Sequence, residues 1–163
     1  MDDQVKKDKQ EYWFTATKLP PEVFQAWVKP DKAISPVAIL ATVDPDGKPR
    51  TAPFGSLRAV TPRLLRLCSM RYHDTCANLI RDGRVSVSMI SPPDIAVSVS
   101  GRARVVRNEM ETDGDFAILE IDIESVKNDM AYRINIDSGI EITPKSAFKP
   151  WYEAVMTELD AIG

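Results

Sequence analysis

The sequence predicts a mainly β fold, a small antiparallel barrel of about six to seven strands with short flanking helices. Three observations carry that expectation. Apolar, β-branched runs recur along the chain and are separated by turns bearing proline and glycine. Two of them, Val85 to Ser91 and Ile95 to Val106, alternate apolar with small polar residues, the period of a strand with two unlike faces. Helical spacing is confined to a few short stretches, which favours a closed antiparallel sheet over a parallel one.

Residues 1–12 are charged and without periodicity, so 1–18 is expected as an N-terminal arm and 19–163 as a single domain. Tyr12-Trp13-Phe14 forms an apolar patch in that arm. Leu19-Pro20-Pro21-Glu22 opens a helix, because proline is tolerated in the first turn and an acid complements the dipole. Val23, Phe24, Trp27 and Val28 give it one apolar face, and Pro30 stops it. Ile34 to Val43 and Lys48 to Leu57 read as a hairpin around the turn Asp44-Pro45-Asp46-Gly47. Ala59 to Pro62 reads as another turn and Leu64 to Met70 as a third strand. Beyond Ser91, Pro92-Pro93 marks a corner. Phe116 to Ile123 and Ala131 to Ile142 are expected as strands, with a charged loop from Glu124 to Asp129 between them. Lys149 to Ile162 is expected as a terminal amphipathic helix with Trp151, Val155, Leu159 and Ile162 on one face.

With 163 residues, 44% of them apolar and 28% charged, the chain has the composition of an ordinary globular domain. A net charge of −3 gives no support for a nucleic-acid binder. No apolar run is long enough to span a membrane, and the first residues lack the apolar core of a signal peptide, so a cytoplasmic protein is expected. Cys68 and Cys76 match no zinc spacing; they are read as buried small hydrophobes, with a redox pair as the alternative. One histidine, His73, leaves little basis for a metal site or a Ser/His/Asp triad.

The most informative stretch is Leu67 to Arg84: strand end, polar turn, short helix, glycine stop. Arg71, His73, Asp74 and Thr75 cluster before Cys76-Ala77-Asn78-Leu79-Ile80, and Gly83 stands where a helix C-cap is wanted. A helix N-terminus carries free N–H groups and the positive end of the dipole, a seat suited to phosphate. Asp74 is the candidate cap for those N–H groups.

The order of these elements resembles that of the pyridoxamine 5′-phosphate oxidase-like, FMN-binding split-barrel proteins. The likeness covers roughly residues 20–145. It is carried by Val37-Ala38-Ile39-Leu40-Ala41-Thr42-Val43-Asp44-Pro45-Asp46-Gly47-Lys48-Pro49-Arg50-Thr51-Ala52-Pro53, by Asn78-Leu79 through Asp82-Gly83-Arg84-Val85, and by Gly101-Arg102-Ala103. The resemblance implies a split β-barrel, a homodimer with FMN in clefts at the interface, and flavin-dependent redox chemistry on a small-molecule substrate. It implies that Arg50, Thr51, Ala52 and Pro53 run along the flavin ring. Cys68 and Ser69 are then expected at the ribityl and phosphate side, with Arg71, His73, Thr75 and Asn78 completing the cofactor site. Two departures stand out. The family's Ser-Arg-Lys phosphate grip falls here on His73, Asp74 and Thr75, and its flavin-contacting glutamine falls near Ala96. Losing two cations and gaining an acid weakens a phosphate site, since charge-assisted bonds are roughly twice as strong as neutral ones. The expected function is therefore a flavin reductase-like oxidoreductase of unspecified substrate. The alternatives are a barrel using deazaflavin F420, one handling haem through His73, or a non-enzymatic binding domain.

Overall fold

The computed structural model describes residues 13–162. Among them are eight strands: β1 (Thr15–Ala16), β2 (Ala38–Val43), β3 (Pro49–Phe54), β4 (Arg58–Thr61), β5 (Leu64–Met70), β6 (Arg84–Ser91), β7 (Ile95–Arg107) and β8 (Phe116–Asn128). Three α-helices accompany them: α1 (Pro21–Val28), α2 (Asp74–Arg81) and α3 (Lys149–Ala161). All strand pairs are antiparallel, in the order β3-β2-β6-β7-β8-β5-β4, with β1 added on β8. The architecture is a split β-barrel. β7 and β8, 13 residues each, form its spine, and their register shifts at Ser100/Gly101. Gly101 is required there: a Cβ would lie 2.3 Å from the Asp122 carbonyl oxygen.

The core follows from the period-two pattern. Leu40, Leu67, Val87, Val99 and Leu119 point inward from five strands, and Trp27 of α1 closes one side. A smaller cluster, Cys68, Ile118, Val155, Met156 and Leu159, seats α3 on the other side of the sheet. Two buried arginines anchor the end of that helix. Arg66 donates to the Leu159 carbonyl at 3.1 Å and lies 3.4 Å from Glu120, while Arg58 bonds Asp160 at 3.1 Å. Cations at a helix C-terminus complement its dipole, so these contacts fix where Trp151 and Tyr152, about two turns upstream, come to rest.

Three expectations are corrected. Ala131 to Ile142 is not a strand. Its alternating isoleucines find no partner strand; the segment is held by scattered bonds instead, Ile136 N to the Pro93 carbonyl, Val37 N to the Ile140 carbonyl and Ile142 N to the Ser35 hydroxyl. The expected loop from Glu124 to Asp129 is instead, as far as Asn128, the continuation of β8. Its charges face outward, while Val126 is buried and the backbone pairs with β7 and β1. Ala59 to Pro62 is mostly β4, a strand too short to show a period. Its turn is tightened by the Thr61 hydroxyl accepting from the Arg63 N–H at 3.1 Å. Of the expected arm, residues 1–12 lie outside the described residues, and Thr15–Ala16 pair with β8 as β1. No helix among the described residues is long and apolar enough to cross a membrane.

Candidate cofactor pocket at the start of α2

β5 delivers Ser69 and Met70 to a three-residue turn, and the chain enters α2 at Asp74. The cap is His73, not Asp74. Its Nδ1 accepts the Thr75 N–H at 3.1 Å, and Asp74, one position inside the helix, has its carboxylate 3.6 Å from Arg50 instead. Gly83 takes φ +81 just after the last turn, and Asp82 N bonds the Asn78 carbonyl, as its glycine suggested. Thr75 is fully buried in the first turn, and its hydroxyl has no hydrogen-bond partner.

Beside this helix start lies a cavity of about 270 Å³. Pro53, Phe54 and Gly55 at the end of β3, Cys68 and Ser69 of β5, and His73 form one side of it; Trp151 and Tyr152 of α3 form the other. His73 meets Phe54 edge to face, ring centroids 6.0 Å apart at 83°. Trp151 packs on Phe116 and Tyr152 and donates from Nε1 to Asp113 at 3.1 Å. The Ser69 side chain is buried, its hydroxyl donating to the next carbonyl at 3.3 Å. Of the expected residues, Pro53, Cys68, Ser69 and His73 line this cavity together. Phe54 and Tyr152 also line it and were not singled out from sequence; Phe54 follows directly on the quoted motif, whereas nothing in sequence ties Tyr152 to a strand so far upstream.

β3 is an edge strand, which is why it tolerates two prolines. Asp44 N bonds the Lys48 carbonyl, and the antiparallel alternation from that pair places 50, 52 and 54 against β2. Thr51 therefore has its N–H and carbonyl directed off the sheet edge, between prolines that cannot donate. Ala52 is buried in the barrel.

Arg50 and Asn78 belong to a second, more open cavity of about 420 Å³, formed with Asp44, Asp46, Asp74 and Arg81. Arg50 Nε bonds both Asp44 carboxylate oxygens, at 2.9 and 3.1 Å. Asn78 donates to Thr42 at 3.0 Å and to Asp44 at 2.9 Å, and accepts from Arg81 at 2.9 Å. The bonds from Arg50 and then Asn78 hold the Asp44 carboxyl below its ordinary range. Arg71 lies 3.0 Å from Glu109 and donates to the Gly114 carbonyl. Each of these side chains is thus occupied with its own protein neighbours.

Both cysteines are buried and free. Burial pushes the Cys68 thiol up to about 11, and burial likewise raises Cys76 against the opposing bond from Ser69. Cys76 packs in the main core and Cys68 in the cluster under α3. A separate cavity of about 340 Å³, lined by Trp13, Glu22, Asp94 and Tyr132 among others, contains none of the expected site residues.

A mainly β split barrel with a largely apolar pocket, edged by Ser69 and His73 beside the start of its short helix, defines the class. The family model for pyridoxamine 5′-phosphate oxidase matches residues 25–129, and the chain belongs to that family. Solved structures agree on the fold. A candidate pyridoxamine 5′-phosphate oxidase from Lactobacillus delbrueckii is 22% identical over 70% of this chain and 98% of its own, with a TM-score of 0.55. HupZ of Group A Streptococcus is 17% identical, covering 75% and 94%, with a TM-score of 0.50. A protein named F420 reductase is 18% identical, covering 67% and 99%, with a TM-score of 0.50. No curated protein matches the chain.

Proposed function

We propose that this protein binds FMN in the pocket at the start of α2 and acts as a flavin-dependent oxidoreductase on a small-molecule substrate. The observation that carries the reading is the Thr75 hydroxyl, fully buried in the first turn of α2 with no partner. An orphaned buried hydroxyl costs roughly 1–3 kcal/mol. Thr75 is not itself on the cavity lining, where Ser69 and His73 are the nearest polar groups of this turn, so an oxyanion at the helix start would satisfy it once the first turn opens toward the cavity. The residues present fit the cofactor through a changed donor set. Thr75, Ser69, His73 and the first-turn N–H groups take the phosphate end, in place of the family's cations. Thr51 on the free edge of β3 and the adjoining Pro53 take the ring. Arg50, Arg71 and Asn78, engaged as they are, support the frame rather than the ligand.

When bound, the flavin supplies hydride-transfer chemistry at its ring. The protein's part is to hold the ring against β3, satisfy its polar edge with backbone donors and keep water from one face with Trp151 and Tyr152. Completion of the cleft by a second copy is part of the reading. Met70, Tyr72 and Phe148, on segments bordering the pocket, are large apolar side chains left exposed in one chain. A deazaflavin in the same place is a variant of the proposal, supported by the similarity to a protein named F420 reductase.

One observation favours a second reading. Trp151 and Tyr152 already occupy one wall of the pocket, and a barrel whose cleft is closed by α3 would be a binding domain without redox activity. The test is the absorption spectrum of the purified protein, followed by titration with FMN and then F420, with molar mass from light scattering. The flavin reading expects a saturable FMN complex of a dimer. A colourless dimer that takes up neither cofactor would overturn it in favour of the binding domain.

A further inference from the structure

We infer that His73 works as two separate hydrogen-bonding groups, with Nδ1 as the cap of α2 and Nε2–H as a donor held out to the pocket's ligand. The inference rests on the flavin reading for the identity of that ligand. The geometry fixes the division. A backbone N–H can only donate, so the 3.1 Å contact from the Thr75 N–H requires a bare lone pair on Nδ1. The neutral ring then carries its proton on Nε2, the nitrogen on the far edge from the helix backbone. Among the described residues Nε2 has no hydrogen-bond partner, and the imidazole stands in the wall of the cavity, steadied edge to face by Phe54. The ring is exposed overall, held at one nitrogen by the helix and at its flank by Phe54, which leaves Nε2 open to a ligand in the cavity.

The consequence concerns ligand class. The donor suits an acceptor oxygen of the ligand, on a phosphate, ribityl chain or ring carbonyl. It also replaces the cation lost from this turn with a neutral donor whose orientation is set in advance, so less ordering is needed on binding.

Two substitutions separate the roles. The Asn side-chain oxygen reaches the place of Nδ1 and is a good helix cap, but Asn has nothing at Nε2. The Gln amide nitrogen reaches the place of Nε2, but Gln caps poorly. His73→Asn is expected to melt like the wild type and bind FMN about tenfold more weakly. His73→Gln is expected to melt lower and recover most of that affinity. Because the chain has one histidine, its long-range 15N NMR spectrum reports the tautomer without assignment. Protonated Nε2 with bare Nδ1 is expected in the free protein, and the Nε2–H signal is expected to move when FMN is added. Wild-type affinity in His73→Asn overturns the ligand role and leaves a cap alone, and protonated Nδ1 overturns the division itself. Failure of the wild type to bind FMN overturns the flavin reading and this donor role together. In that outcome the tautomer measurement still decides the capping half.

Discussion

Arg50 Nε lies 2.9 Å from one Asp44 carboxylate oxygen and 3.1 Å from the other, so the most suggestive cation of the opening hairpin braces its own turn. The same guanidinium reaches Asp74 at 3.6 Å and so ties the β2–β3 turn to the start of α2. The pair sits at the surface, where salt screens it. Asp44 titrates below its ordinary value, so its contribution is present in full above the usual carboxylate range and is lost as pH falls through the lowered value. Arg50→Ala is expected to lower the melting temperature at low salt, less so at high salt, and to flatten the acid limb of stability. Melting curves at two salt concentrations and several acid pH values check this.

Thr75 offers a substitution that moves stability and binding in opposite directions. Valine has nearly the same shape and removes a hydroxyl that is buried without a partner. Thr75→Val is expected to raise the stability of the free protein by about 1 kcal/mol and to weaken FMN binding about tenfold. Urea denaturation and fluorescence titration read the two effects. A variant that is less stable and binds FMN normally would mean that the hydroxyl serves the fold.

The barrel was legible because strand period, turn chemistry and one capped helix all pointed the same way. The errors lie where one signal stood alone. Alternation at Ile134, Ile136, Ile140 and Ile142 suggested a strand, but a strand also needs a partner edge, which no periodicity supplies. Charges at Glu124 and Lys127 hid a strand whose inward residue, Val126, is fully buried. In the pocket, residues adjacent in sequence to the hairpin motif and to β5 came together as expected. What sequence could not give was the ion-pair partner of each arginine. Glu109, Asp44 and Asp160 are chosen by the folded path, and they decide which cation is left for a ligand. The face of α2 taken by His73 depended on a one-residue shift in the helix start, a detail finer than propensity resolves.

Lys29 gives the barrel a pH dependence of its own. Its ammonium is buried, donates to the Gly55 carbonyl at 2.8 Å, and sits 5.3 Å from the Trp27 ring centre. Burial first, and then the charge of Arg58, push it from 10.5 down to about 7. Between those two values the unfolded chain holds the proton and the folded one does not. Stability therefore rises with pH across that window, by up to about 1.4 kcal/mol per pH unit from this group, and the gain is absent below it. Lys29→Met is expected to remove the slope. Denaturant midpoints between neutral pH and pH 10 check it, and a wild type with the same slope as the variant would contradict it.

The exchange of two cations for Asp74 and Thr75 predicts weak discrimination by the phosphate. Neutral donors contribute about half as much as charged ones, so FMN is expected to bind only about tenfold more tightly than riboflavin. Parallel fluorescence titrations with the two compounds give the ratio directly. A preference of several thousandfold would require a cation at the helix start that the ion pairs of Arg50 and Arg71 do not leave available.

The central claim is that the pocket between β3, β5 and the start of α2 holds a flavin, and the measurement that tests it most directly is the map of backbone amide shifts during an FMN titration. The account predicts saturable shifts concentrated at Thr51, Ser69, His73 and Thr75. Shifts gathered instead around Trp13, Asp94 and Tyr132, or no shifts at saturating FMN, would contradict it.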